Sequence, residues 1–148
     1  MVGHAVIRAA IHDDLDGLLA LYRFLNPKDP VPDETKLHDA WRDLLDSKGA
    51  TIFVAEVGNT LVATCMLTIV PNLTRGARPY AIIENVVTHS SYRRAGFGRA
   101  VMQAALKAAW EQDCYKVMLA SGRSDAVPFY ESVGLTRSRK NFFEARKE

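Results

Sequence analysis

Only two cysteines, Cys65 and Cys114, occur in the 148 residues, so no disulfide framework can hold the fold. A reducing compartment, and hence a cytoplasmic location, is the expectation. Long apolar runs are missing too. No stretch approaches the roughly 20 residues that a membrane-spanning helix needs, and residues 1–10 lack the pattern of a signal peptide. Charge of one sign is scarce. A net charge of +2 gives no electrostatic ground for nucleic-acid binding. The four histidines, His4, His12, His38 and His89, are scattered without metal-ligand spacing. Internal repeats and low-complexity linkers are absent. The expectation is therefore one domain over residues 1–148, with no membrane, nucleic-acid or metal partner, long enough to bury a real core.

What the chain does have is a change of hydrophobic period along its length. Ala5 to Ala9 reads as a first strand. Asp13 or Asp14 can cap a helix to about Phe24, with Leu15, Leu18, Leu19 and Tyr22 as its buried stripe. Three prolines between Asn26 and Pro32 break it. A second helix starts near Asp33, buries Leu37, Trp41, Leu44 and Leu45, and stops at Gly49. Thr51 to Val57 and Thr60 to Val70 are β-rich runs joined by Gly58-Asn59, a hairpin turn. Pro71 to Pro79 is a loop. Ile82 to Thr88 is β-branched and short, a central strand. A helix follows from about Gly96 to Gln112, with Phe97, Val101, Ala105 and Ala109 along one face. Tyr115 to Ala120 is a strand parallel to the central one. Ser124 or Asp125 can cap a short helix to about Val133, and Leu135 to Ala145 reads as one or two final strands. The order β-α-α-β-β-β-α-β-α-β predicts an α/β fold of three layers, with a mixed central sheet flanked by helices.

The most informative stretch is Ile82 to Gly98. A strand runs into a polar turn, His89 to Tyr92, and then into a glycine-bearing helix start. The first N–H groups of a helix have no partner within it, and the helix dipole adds positive charge there. Gly96 and Gly98 leave the backbone open to close approach. Arg93, Arg94 and Arg99 add formal charge. A pyrophosphate-sized anion is the expected occupant. A Walker A loop is excluded, because no Gly-Lys pair occurs. A dinucleotide fingerprint fits poorly. Its third glycine falls on Val101, and the next strand ends in Ser121 and Gly122 rather than an acid.

Arg93-x-x-Gly96-x-Gly98 matches the [Q/R]-x-x-G-x-[G/A] motif of the GNAT superfamily of N-acetyltransferases. Ala126-Val127-Pro128-Phe129-Tyr130-Glu131-Ser132-Val133-Gly134-Leu135 resembles that family's A-x-x-F-Y-E-x-x-G-F segment. Val6 to Ala10, followed by an acidic helix start, resembles its opening. The resemblance implies a GNAT-like fold and acetyl-CoA as cofactor. Backbone amides of Arg93, Arg94, Ala95, Gly96, Phe97, Gly98 and Arg99 would hold its pyrophosphate. Main-chain groups of Val86, Val87 and Thr88 would pair with its pantetheine arm where the central strand splays at a bulge. Many members carry an asparagine where this chain has Arg123-Ser124-Asp125, so that contact is altered or is made by Ser124. Homodimers are frequent in the family.

Moving an acetyl group from a thioester to an amine needs a neutral amine, donors for the oxyanion and a proton for the departing thiolate. Glu84, an acid in an apolar strand, is the candidate to receive the amine proton. The resemblance points to Tyr130 as donor to the leaving sulfur. Ile83 to Val87 and Cys114 to Val117 look like the glucosamine-6-phosphate N-acetyltransferase branch, which usually has aspartate at the position of Asn85. Asn85 is thus placed on the acceptor side. By the same resemblance Arg75 and Arg78, in the loop before the central strand, border the acceptor cleft and suit a small amine with an anionic group. The expected function is acetyl transfer to a primary amine of a small molecule by direct attack in a ternary complex. The competing functions are a non-catalytic coenzyme A-binding sensor or regulatory module and, less well fitted, a nicotinamide or flavin oxidoreductase.

Overall fold

The computed structural model describes residues 4–147. Five strands form one sheet in chain order: β1 (Val6–Ala9), β2 (Ala50–Val57), β3 (Thr60–Val70), β4 (Tyr80–Thr88) and β5 (Val117–Met118). The first four pair antiparallel, and β5 joins β4 in parallel. The β2–β3 hairpin closes at Gly58-Asn59 with Val57 opposite Thr60, and Gly58 takes φ 59°, the left-handed conformation that such tight turns require.

Helices cover both faces. Helix α1 (Leu15–Leu25) and helix α2 (Glu34–Asp46) pack on one side, where Leu18, Leu21, Trp41, Ile52, Val54, Leu61 and Val87 form a buried cluster. Trp41 is anchored by its ring N–H, which donates to the carbonyl of His12 at 3.1 Å. Asp33 caps α2 by accepting the Lys36 N–H at 3.0 Å, as its position before the apolar stripe predicts. Helix α4 (Phe97–Glu111) covers the other face with Phe97, Val101, Met102, Ala105 and Ala109, joined there by side chains of α5 (Val127–Ser132). The loop before β4 holds one helical turn, α3 (Thr74–Ala77), in which Arg75 and Gly76 take left-handed angles.

The three-layer mixed sheet is as expected. Five local expectations are not met, one of them the Ser124 or Asp125 cap of α5, which Ala126 precedes with no side-chain cap. Neither Asp13 nor Asp14 caps α1 through its side chain; Asp14 turns back and accepts from the Ile11 N–H at 2.7 Å. Leu21 rather than Leu19 joins the buried stripe of α1, because the face of the helix that packs on the sheet is centred on Leu18 and Leu21, one turn apart. Strand β5 is two residues long instead of spanning Tyr115 to Ala120. No strand forms between Leu135 and Ala145. Gly134, at φ 103°, ends α5, and the segment beyond it finds no sheet edge within its own chain.

Candidate active site

Strand β4 carries the central irregularity. Its register with β3 runs Met66 opposite Glu84 and then Thr64 opposite Val87, so β4 holds one residue more than β3 between those pairs. This is a β-bulge, and Asn85 sits in it at φ 54°. Asparagine is among the few residues other than glycine that adopt this conformation readily. Cys65 is the β3 residue facing the bulge. It is fully buried, its thiol lies 3.4 Å from the carbonyl of Val101, and burial pushes that thiol up to about 12. It is no nucleophile, and serves as a small filler where the strands part.

The other edge of β4 is open beyond its first residues. Only Ala81 and Ile82 pair with β5, through Val117 and Met118. From Ile83 to Thr88 the main-chain groups that face away from β3 have no strand beside them. The sheet therefore splits at the bulge, beside the end of β4 that leads into the glycine turn.

At that end the chain makes a compact corner. His89 caps the turn Ser90–Tyr92 by accepting the Ser91 N–H at 3.1 Å, and its ring lies 4.6 Å from Phe24 and 5.2 Å from Tyr92. Arg94 at φ 62° and Gly96 at φ 90° then bend the backbone twice before α4 begins. Such bends aim successive N–H groups at one point, and the first N–H groups of α4 join them, since the Gly96 carbonyl is first reached by Ala100. Arg93, Arg94, Ala95 and Gly96 are all exposed. Arg93 donates to the Thr88 carbonyl at 3.4 Å, and neither Arg93 nor Arg94 forms an ion pair among the described residues. A concave, positively charged backbone cradle follows.

Three of the arginines and one glycine behave differently from expectation. Arg99 is turned to α5, donating to the Ser132 carbonyl at 2.7 Å, so its guanidinium ties two helices together at the cradle's flank. Gly98 is buried, and a Cβ there would meet Thr88 Oγ1 at 2.9 Å and Phe129 at 3.5 Å. Close packing of helix on strand explains this glycine, rather than ligand access to its side-chain position. Arg78 donates to the carbonyls of Asp113 and Cys114 at 3.3 and 3.5 Å and pairs with Asp113. Arg75 lies over the Tyr115 ring at 5.6 Å. Both sit by the C-terminal end of α4, whose 15 residues span about 22 Å from the cradle. The structure brings neither arginine to the bulge, because β4 carries the chain away from its preceding loop.

The proposed chemical groups lie nearer. Glu84 and Asn85 are both exposed, one immediately before the bulge and one inside it. Tyr130, on α5, is half-buried against the α4-side core, with its ring 5.2 Å from Phe129. Burial pushes its phenol up, against the opposing pull of Arg123, so it keeps its proton at neutral pH. Ser124 is exposed in the turn preceding α5, between Arg123 and Asp125, which pair with each other. Sequence reasoning did not single out Cys65. The only signal was a small residue opposite the strand that carries an asparagine amid β-branched neighbours.

A sheet split at a bulge thus stands next to a strand–turn–helix cradle suited to a phosphate-bearing ligand. A model of the acetyltransferase (GNAT) family matches residues 18–135. The chain belongs to the GNAT acetyltransferase family, as its motifs predict. A putative acetyltransferase from Agrobacterium tumefaciens is similar in structure, with TM-score 0.90 and 46% identity over 96% of this chain and 99% of that one. The glucosamine 6-phosphate N-acetyltransferase of Trypanosoma brucei brucei is 37% identical over 83 residues, which is 56% of this chain and 56% of that protein. The enzyme of the same name from Schizosaccharomyces pombe is 31% identical over 78 residues, 53% of this chain and 69% of that one. The matched stretch thus spans little more than half of the trypanosomal protein.

Proposed function

We propose that the protein transfers the acetyl group of acetyl-CoA to the primary amine of a small molecule, by direct attack while both are bound. The observation that carries this reading is the split of β4 from β5 at the Asn85 bulge, beside the 93–98 cradle. Acetyl-CoA laid with its pyrophosphate on that cradle can run its pantetheine arm along the open edge at Val86 to Thr88, pairing like an added strand. Its thioester then comes to the bulge. Main-chain N–H groups there serve the oxyanion. Glu84, one residue away and exposed, receives the amine proton directly or through water. Holding a lysine-like amine of pKa about 10.4 neutral at pH 7 opposes a cost of roughly 4.6 kcal/mol. Tyr130, still protonated, donates to the departing thiolate. Ser124 lies at the cofactor's flank and Asn85 faces the acceptor. Likeness to two enzymes named for glucosamine 6-phosphate supports an amino-sugar phosphate as the acceptor class.

An acceptor panel assayed by thiol release from acetyl-CoA tests this. Amino-sugar phosphates should outperform lysine-rich peptides. Glu84→Gln should lower turnover about 10- to 100-fold, with the loss shrinking as pH rises and more amine is neutral. Tyr130→Phe should lower turnover and leave the acetyl-CoA KM alone. Tight acetyl-CoA binding with no turnover on any amine would make the protein a coenzyme A-binding module instead.

A further inference from the structure

Residues directly opposite each other in an antiparallel pair point to the same face of the sheet. Met66 stands opposite Glu84 and packs against the α1-side cluster, so Glu84 points to the α1 side. The next pair, Leu67 and Ile83, packs on the α4 side, as alternation requires. Past the bulge Val87 joins the α1-side cluster, because the extra residue returns β4 to that face. Helix α1 covers this face. Tyr22 follows Leu18 by one turn, and its half-buried ring packs against the same cluster as Met66 does. Tyr22 therefore shares with Glu84 the face and the apolar neighbours on both sides of the bulge.

Among the described residues no sealed polar side-chain atom lacks a hydrogen-bond partner, and the Tyr22 hydroxyl has none, so it reaches solvent. Burial pushes the phenol up to about 12, so it stays neutral at pH 7 and does not compete with Glu84 as a base. The buried Cys65 thiol raises the phenols of both Tyr22 and Tyr130. One phenol thus stands on each face of the split, Tyr22 on the α1 side and Tyr130 on the α4 side. Packing in the cluster uses the Tyr22 ring and leaves its hydroxyl for a ligand.

We infer that Tyr22 is a second protein contact of the acceptor amine, accepting one of its N–H groups while Glu84 takes the proton of the other, an inference that rests on the acetyl-transfer reading above. A neutral primary amine that aims its lone pair at the thioester carbon has two N–H bonds left. As the C–N bond forms, the C–S bond breaks and its electron pair goes to sulfur, which Tyr130 protonates. Glu84 takes one amine proton. The other stays on nitrogen, hydrogen-bonded to Tyr22 Oη, and remains in the amide product. Holding both N–H groups turns the lone pair towards the thioester.

A double-variant cycle tests this, with glucosamine 6-phosphate as acceptor and thiol release as readout. Tyr22→Phe keeps the ring and removes only the hydroxyl, so its urea unfolding and its acetyl-CoA KM should match the wild type. Its kcat/KM for the acceptor should fall about 10-fold, as for loss of one hydrogen bond. Groups that hold the same amine do not act independently, so Glu84→Gln/Tyr22→Phe should lose much less than the product of the two single losses. A structural role for Tyr22 would make the losses multiply. Wild-type kcat/KM in Tyr22→Phe, or losses that multiply, overturns the inference and leaves the acetyltransferase reading in place. A wild-type chain that releases no thiol with glucosamine 6-phosphate overturns the amino-sugar reading, and this inference with it.

Discussion

At the scale of single residues, Gly98 shows how one feature serves two readings. In the motif it stands for access to a phosphate, but in the fold it lets α4 descend onto β4. Gly98→Ala would force a Cβ to within 2.9 Å of Thr88 Oγ1, on a β-branched side chain with little freedom to turn away. The expected loss is about 1–3 kcal/mol in urea unfolding, as for other overpacked sites. Thr88→Ala in the same chain should restore most of it. If Gly98→Ala proves as stable as the wild type, this packing argument fails. Arg99 and Arg78 are similar cases. Each has a charge that a motif or a loop position assigns to a ligand, and each is engaged by carbonyls of a neighbouring element.

At the scale of elements, the site depends on the bulge in β4. A regular β4 would place Glu84 and Val87 on opposite faces with no break, and its edge would have no reason to leave β5. Asn85 at φ 54° makes the break tolerable. Asn85→Gly should therefore keep the fold at wild-type stability or near it. Asn85→Val should lower stability by about 1–2 kcal/mol, since a branched side chain resists the left-handed region. Thermal unfolding of the two variants compares them directly, and equal midpoints would mean that the bulge stores no such strain.

For the molecule as a whole, a partly buried ion pair ties the turn before the first helix to β1 and β2 of the sheet. Arg8 grips Asp14 at 2.6 and 3.0 Å and reaches Glu56 on β2 at 3.5 Å. The hydrogen bonds from Arg8 hold the Asp14 carboxyl below its ordinary value despite burial. A carboxyl depressed in the folded state binds protons more weakly there than when unfolded. Its stabilisation is thus present above its unfolded value near 3.8 and is lost as pH falls through the folded one. Asp14→Asn should lower unfolding free energy by roughly 2 kcal/mol at pH 7. The gap to wild type should narrow below about pH 4. A gap that is constant from pH 7 to pH 3 would show that the charge of Asp14 plays no part.

Local chemistry was legible without coordinates. The period change at Thr51, the Gly58-Asn59 hairpin, the Asp33 cap and the strand–turn–helix at Ile82 to Gly98 each follow from residues within a few positions of one another. The family motif lies in that same short range. What only the tertiary structure decided depends on residues far apart in sequence meeting in space. Whether β4 bulges is settled by its register against β3, some twenty residues earlier in the chain. Whether β5 extends is settled by the split of β4 from it, and whether Arg78 meets an acceptor or Asp113 by where the C-terminal end of α4 comes to rest. The segment after Gly134 has a strand's sequence and no strand's structure, because a strand is completed by a neighbour, and neighbours are chosen by the fold.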